Sequence, residues 1–522
     1  VETARGAANL KGIVSTSGVD AILLGATDLA RSLGVPGRND HPAVLAKLAE
    51  MTTTVTDAGW LWPGWPLPWS RPGPASGKEP RADLDLLRRR DYLPPGLPGS
   101  GRRPQDRGVT GQWALAPRSP VEQRAADQKW GYIGVLDLAG VPVIDNHCHP
   151  IEPAKAALDP GSLAREFYHG MGDLPQPGAK AKLWGATDEL RRHFPNLGVV
   201  QTMVCQLSRV LECPPELEAV AAERNRRTAQ DFGAYARLLY QDAGIVGTVL
   251  DSDLSPNDPV LKLMPGRLMR LFQMDPAIKR LLNQADSYAG LLHAYQKALD
   301  GAVRRDGFVG VKSHLAEEVG FGAPLPSEAE TLAAFDAAKS GDGAAYKRLY
   351  MALLGVTLIQ CRELGIPVHF HSGITGGAWN GPVADADPFL LVPLLKRPEF
   401  LQSRVVLLHG AYPWIQHAAM VGHALPQVWV DMGWTTPWAS LRIAECYRDL
   451  IGVAPLSKLM IGSGSHGTPE IAWLAGITAK IGLGKALGDA VEMGLMTRGQ
   501  AEAVARMILH DNAVHLYGLN GA

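Results

Sequence analysis

From residue 141 onward, short runs rich in Val, Ile and Leu return at helix-length intervals. They fall at 141–150, 244–251, 268–274, 308–314, 366–371, 404–409, 427–431 and 458–464, and several end in histidine or aspartate. Eight strands alternating with helices predict a parallel (β/α)8 barrel of the TIM-like kind over 131–522. Helical text at 155–243 inserts after the first strand, with Pro214 and Pro215 at a helix start and Met203, Leu207 and Leu211 at core spacing. Barrels of this type carry their chemistry at the strand C-termini, where these polar residues fall.

The first run ends in His147-Cys148-His149. Residues i and i+2 of a strand share a face, so both imidazoles emerge together and can grip one divalent cation, while Cys148 turns away into packing. Any exposed strand can carry such a pair by chance; it gains weight because the fifth and sixth runs end in His371 and His409. His369 lies a layer deeper on the face of His371, as a core histidine would. His314, His417, His423 and His466 have loop or helix contexts that suit structural roles, with His466 close to the eighth run. Asp251 and Asp253 close the second run, where they either face the site or cap a helix. Trp379, Trp434 and Trp438 follow the fifth and seventh runs and either wall a pocket or pack the core.

A formal charge of −1 provides no field for nucleic acid or an anionic membrane, and no apolar run reaches the length of a membrane span. Five scattered cysteines fit a reducing cytoplasm better than a disulfide framework. The expected partners are a small-molecule substrate and further copies of the chain.

Between 52 and 130 periodicity stops. Tryptophan, proline, glycine and arginine dominate, and proline at this density defeats helices and ladders. The stretch reads as a disordered linker, or as translated intergenic text joining two genes. Residues 1–51 show αβ alternation, with a buried strand over 18–25, and read as a partial barrel fragment.

The N-terminal Val1-Glu-Thr and the loop Ala26-Thr-Asp28 resemble the C-terminal half of the HpcH/HpaI family of metal-dependent 2-keto acid aldolases. The resemblance implies a metal site at Glu2 and Asp28, vestigial here because the upstream strands are absent. The larger part, over about 140–520, resembles the amidohydrolase superfamily. Within it the likeness is to the amidohydrolase 2 group and its branch related to glutamine-synthetase-fused domains. The resemblance rests on Asp145-Asn-His-Cys-His-Pro, Val311-Lys-Ser, Pro367-Val-His-Phe-His-Ser-Gly, Leu408-His-Gly-Ala-Tyr-Pro, Val430-Asp-Met-Gly, Ser465-His-Gly-Thr-Pro-Glu470 and Asp511-Asn-Ala-Val-His-Leu-Tyr517.

That family pattern implies a barrel of the metal-dependent hydrolase type, with His147, His149 and His371 as metal ligands. His409 becomes a second-metal ligand or a carbonyl-polarising group. Lys312 becomes a carboxylated bridge, or else an ion-pair partner of Glu317 or Glu318. The cofactor is a divalent ion, zinc first, with manganese or iron as alternatives. It lowers the pKa of bound water from about 15.7 to roughly 7, giving hydroxide that attacks an amide or related C–N bond. The family's strand-eight aspartate, which orients that water, is here Gly464. Its loss leaves an impaired hydrolase, with His466 or Asp431 as stand-ins. The alternatives are a non-oxidative decarboxylase of the same superfamily and an inactive binding or regulatory homologue.

Overall fold

The β-branched runs become parallel strands in chain order: β1 (Val143–Ile151), β2 (Ile245–Asp251), β3 (Arg267–Gln273), β4 (Gly310–Ser313), β5 (Val368–Phe370), β6 (Val405–Leu407), β7 (Val428–Asp431), β8 (Leu459–Met460) and β9 (Ser465–Gly467). The computed structural model describes residues 3–16, 21–22, 24, 26–35, 41–58, 69–70, 135–168, 192–255, 257–373 and 383–519. It divides into two units, 1–116 and 117–522.

In the second unit the strands hydrogen-bond in the order β8-β7-β6-β5-β4-β3-β2-β1-β9. The two ends of this order belong to one stave. Met460 in β8 pairs with Asp431, Ser465 in β9 pairs with Cys148, and Ile461–Gly464 spans the gap. Across that gap Asn146 N–H donates to Ile461 O at 2.9 Å, and the Ser463 and Gly464 amides both donate to His147 O, at 3.2 and 2.7 Å. The sheet thus closes into the (β/α)8 barrel that the sequence predicts.

Strand alternation divides the core in two. Val143, Val311, Val368, Phe370, Val405, Leu407, Val428 and Val430 face outward into the helix layer. Ile144, Val249, Met269, Leu271, Val406, Leu408, Trp429 and Met460 fill the interior, against Leu516 and Leu519 at the C-terminus. Cys148 belongs to the outer cluster, away from its flanking histidines. The insertion after β1 contains the helices Pro160–Glu166, Gly198–Leu211, Leu217–Gln230 and Phe232–Ala243, with Met203, Leu207 and Leu211 buried.

The strands end earlier than the hydrophobic runs suggest: β5 stops before His371 and β6 before His409. At β6 the cause is local, because His409, Gly410 and Ala411 have φ of 69°, 57° and 50°. Left-handed backbone at non-glycine residues leaves the ladder and costs on the order of 1–3 kcal/mol, a strain that recurs at functional sites.

The first unit contains the helices Ala4–Ala8, Leu10–Val14, Ala26–Ser32 and Pro42–Asp57, and a two-residue antiparallel pairing of Ala21–Ile22 with Trp69–Ser70. Leu10, Val14, Leu29, Val44, Met51 and Val55 form its small core. The last helix runs past residue 51, where the sequence had ended this segment, because Met51 and Val55 continue its apolar face. The Trp69–Ser70 pairing likewise falls within the stretch expected to be linker, and the rest of that linker beyond residue 70 lies outside the described residues. Among the described residues no helix is long and apolar enough to cross a membrane.

Two buried charges tie the insertion to the barrel. Arg224 forms an ion pair with Glu470, both fully buried, and donates to the Lys155 and Ala156 carbonyls behind β1 at 2.8 and 3.0 Å. Tyr235 OH adds a hydrogen bond to Glu470 at 2.9 Å. Removing one partner strands the other charge, so Arg224→Ala is expected to lower the unfolding free energy by about 3–5 kcal/mol, measured by urea denaturation. Lys480 is a second buried cation, pushed down to about 8 by burial against the pull of Asp242 and Asp137. Its ordinary value is about 10.4, so between roughly pH 8 and 10 the unfolded chain binds more protons and stability rises with pH. Urea midpoints across that window are expected to climb in the wild type, and to climb less in Lys480→Met.

Candidate metal centre

His147 and His149 leave β1 together, ring centroids 5.1 Å apart and nearly perpendicular. Asp251, the last residue of β2, joins them, and ligand atoms of all three lie within 4.8 Å of one another. Asp251 is fully buried and doubly held, by Gln273 Nε2 of β3 at 2.8 Å and by Lys312 Nζ of β4 at 2.9 Å. Burial pushes its carboxyl up, but the Lys312 ammonium, with His149 and His314, overrides this and holds it well below the usual carboxylate range.

Lys312 therefore has a different partner from the two expected. Glu318 pairs with Lys279 at 2.6 Å, and Glu317 Oε1 lies 2.9 Å from His371 Nε2. The reason is direction: Lys312 points inward from β4, whereas both glutamates sit on the turn Leu315–Glu318 beyond the strand end. Lys312 Nζ also contacts His314 Nε2 at 2.9 Å. A lysine ammonium only donates, so His314 accepts there and directs Nδ1–H to Asp275 Oδ2, 3.1 Å away. A carboxylated Lys312 would set a second anion beside Asp251, so this packing favours the ion pair over the bridge.

His409 lies between the two groups, its ring centroid 5.2 Å from that of His147 and 4.6 Å from that of His371. Trp434 N–H donates to His409 Nδ1 at 3.1 Å. The imidazole is thereby fixed as the tautomer with its proton on Nε2, a hydrogen-bond donor rather than a metal ligand. Of the two roles that the sequence left open for His409, this tautomer suits the carbonyl-polarising one. Nε2 faces His371 Nδ1 at 3.4 Å.

His466 of β9 stacks on His149, centroids 3.9 Å apart and 13° from parallel. His369 is buried beneath the site, with Nε2 3.0 Å from Tyr517 OH. His417 pairs with Asp387 and His423 with the Val453 carbonyl, both away from the cluster. Asp431 accepts from Asn146 Nδ2, Gly433 N–H and His409 N–H at 3.1, 2.7 and 3.4 Å. Burial pushes its carboxyl up to about 7. Asp253 is exposed. Trp434 stacks on Trp438, whose Nε1–H donates to Phe167 O at 2.7 Å, while Trp379 lies outside the described residues. In the first unit Asp28 is exposed, with a 4.0 Å contact to Arg31, and Glu2 lies outside the described residues.

The donor set suits a divalent cation. His147 Nδ1 is buried and makes no hydrogen bond among the described residues. Burial holds His147 well below its usual value and pushes His149 and His371 down to about 4, so all three are neutral near pH 7 and keep a lone pair for an ion. His371 stands outside the three-residue group, beside it through His409. Sequence reasoning assigned His314 a structural role and Glu317 only an alternative ion pair with Lys312. A carboxylate five residues beyond an inward-facing strand lysine was the available signal, and only the turn shows where it goes.

At Gly464 φ is +59°, and a Cβ would sit 3.0 Å from Trp434 N and 3.1 Å from Trp434 Cα. The missing side chain admits the same backbone whose N–H fixes His409. Replacing this glycine with the family's aspartate is therefore not a simple repair. Gly464→Asp is expected to cost about 1–3 kcal/mol, read as a lower thermal midpoint.

Comparison with known proteins agrees with this architecture. Residues 278–519 match the amidohydrolase family, and residues 1–61 match the HpcH/HpaI aldolase/citrate lyase family. The first match takes in Lys312, His371, His409 and Gly464 and leaves out β1, β2 and β3. Protein fluG of Emericella nidulans is 30% identical over 155 residues, which is 30% of this chain and 18% of that protein. The 4-hydroxy-2-oxovalerate aldolase of Rhodococcus jostii is 40% identical over 58 residues, 11% of this chain and 22% of that protein. The matched stretches thus span about a fifth of each relative's length. Among solved structures, a protein assigned as a metal-dependent hydrolase from Lactobacillus casei superposes with TM-score 0.62 at 20% identity, covering 74% of this chain and 98% of that one. A uronate isomerase of Thermotoga maritima superposes with TM-score 0.53 at 15% identity, covering 73% and 95%. The chain thus carries a segment at 278–519 that matches the amidohydrolase family, behind a segment at 1–61 that matches the HpcH/HpaI aldolase/citrate lyase family.

Proposed function

We propose that the barrel is a metal-dependent hydrolase of the amidohydrolase type, acting on an amide or related C–N bond of a small molecule. The observation that carries this reading is the convergence of His147, His149 and Asp251 within 4.8 Å, with His147 Nδ1 buried and without a hydrogen bond among the described residues. These three, with His371 beside them, would hold the ion. When bound, a divalent cation such as zinc supplies Lewis acidity, lowering the pKa of a water and polarising the substrate carbonyl.

The surrounding residues do the rest. Lys312 and Gln273 fix the Asp251 carboxylate, and Trp434 N–H keeps His409 as an Nε2–H donor able to hydrogen-bond a substrate oxygen. His466, stacked on His149, is the group placed to carry a proton where the family's aspartate is absent. Losing a positioned acid–base group typically costs about 10²–10⁴-fold in rate, so turnover is expected to be slow.

Gly464 supports a second reading, an inactive homologue that binds the same small molecules. Elemental analysis and an ammonia-release assay on a panel of amides separate the two. The hydrolase reading expects about one zinc per chain, slow ammonia release, and loss of both in His147→Ala. Zinc retained with no release from any amide would favour the binding protein. No metal in the purified full chain would defeat both metal-based readings.

A further inference from the structure

One carboxylate at the barrel mouth remains without a task. Glu317, on the turn Leu315–Glu318 after β4, places Oε1 2.9 Å from His371 Nε2, with a fifth of its side chain exposed. At this separation the carboxylate attracts a proton carried on Nε2.

Proton placement around the ring gives this contact a meaning. The Trp434 amide puts the His409 proton on Nε2, and that nitrogen faces His371 Nδ1 at 3.4 Å. His371 Nδ1 is then the acceptor, and its proton belongs on Nε2, the side facing Glu317. A histidine arranged in this way has its lone pair turned toward the other imidazoles and its N–H toward a carboxylate. Carboxylates placed like this fix the tautomer and orientation of metal-ligating histidines and raise their basicity.

We propose that Glu317 is a positioning residue for the metal centre. It holds His371 with its proton on Nε2, so that the Nδ1 lone pair, which takes the His409 N–H in this structure, is the one a cation would take. The assignment rests on the metal-centre reading above and deepens it, since it supplies an anion to the site from β4 where the eighth stave supplies none. Glu318, one residue on, serves as the internal control, because its carboxylate is engaged by Lys279 at 2.6 Å.

The test uses the metal-free full chain titrated with zinc chloride by calorimetry, together with the visible spectrum of the cobalt(II) form. Glu317→Gln is expected to weaken zinc binding by about 10–100-fold and to alter the cobalt bands. Glu317→Asp is expected to recover much of the affinity, and Glu318→Gln to match the wild type in both readouts. Equal zinc affinity and an unchanged cobalt spectrum in Glu317→Gln would overturn the assignment and leave the metal centre standing. A wild type that takes up neither ion would overturn both.

Discussion

The site depends on how the sheet closes. The His147 carbonyl receives two amide hydrogen bonds, from Ser463 and Gly464, and Asn146 N–H reaches Ile461 O. Ser463 adds a third tie, its amide and hydroxyl donating to the two oxygens of Asp145 at 2.7 and 2.6 Å. The backbone on either side of His147 is therefore gripped by the eighth stave before any ligand arrives. Interrupting that stave at 461–464 removes the regular ladder there and replaces it with side-chain and turn hydrogen bonds, which fix one geometry instead of a register that can slip. A histidine pair at an unclosed strand end would lack that restraint.

Charge is arranged around the imidazoles rather than on them. Burial keeps His147, His149 and His371 neutral, while the Lys312 cation is shared between Asp251 and His314. Asp275 closes this chain on the far side, held by Tyr350 OH at 2.7 Å. The ion pair keeps Asp251 ionised despite complete burial, a state that isolated burial would oppose. The outcome is a pocket with neutral nitrogen donors, a fixed carboxylate and one internal counter-cation.

Much of this was legible in the chain. Val405, Val406 and Leu407 read as a buried strand whichever face each occupies, and β-branched runs at helix-length spacing leave few architectures other than a parallel barrel. His147 and His149 were legible because period two is independent of everything else in the fold. Asp251 was visible only as one of two readings, since a strand-terminal aspartate also suits a helix cap. The partner of Lys312 was misread because sequence proximity to Glu317 and Glu318 carries no direction, and the turn Leu315–Glu318 carries both glutamates past the strand end. β6 itself is shorter than its hydrophobic run, because the His409 backbone leaves the ladder with φ of 69°. Nothing in the residue types announces that departure; it follows from what the end of β6 must present.

Gly464 joins these strands of reasoning. Read in the sequence, it is a missing carboxylate. In the fold it is a residue at positive φ against which the Trp434 backbone packs, and Trp434 N–H is what determines which nitrogen of His409 bears the proton. An aspartate there would have to occupy space now filled by that backbone, so the loss of the acid and the fixing of His409 are two sides of one packing arrangement. His466 stacks on His149, and His409 is held by the Trp434 amide. Closure of the barrel at 461–464 thus sets both the backbone that holds His147 and the packing that fixes the His409 proton.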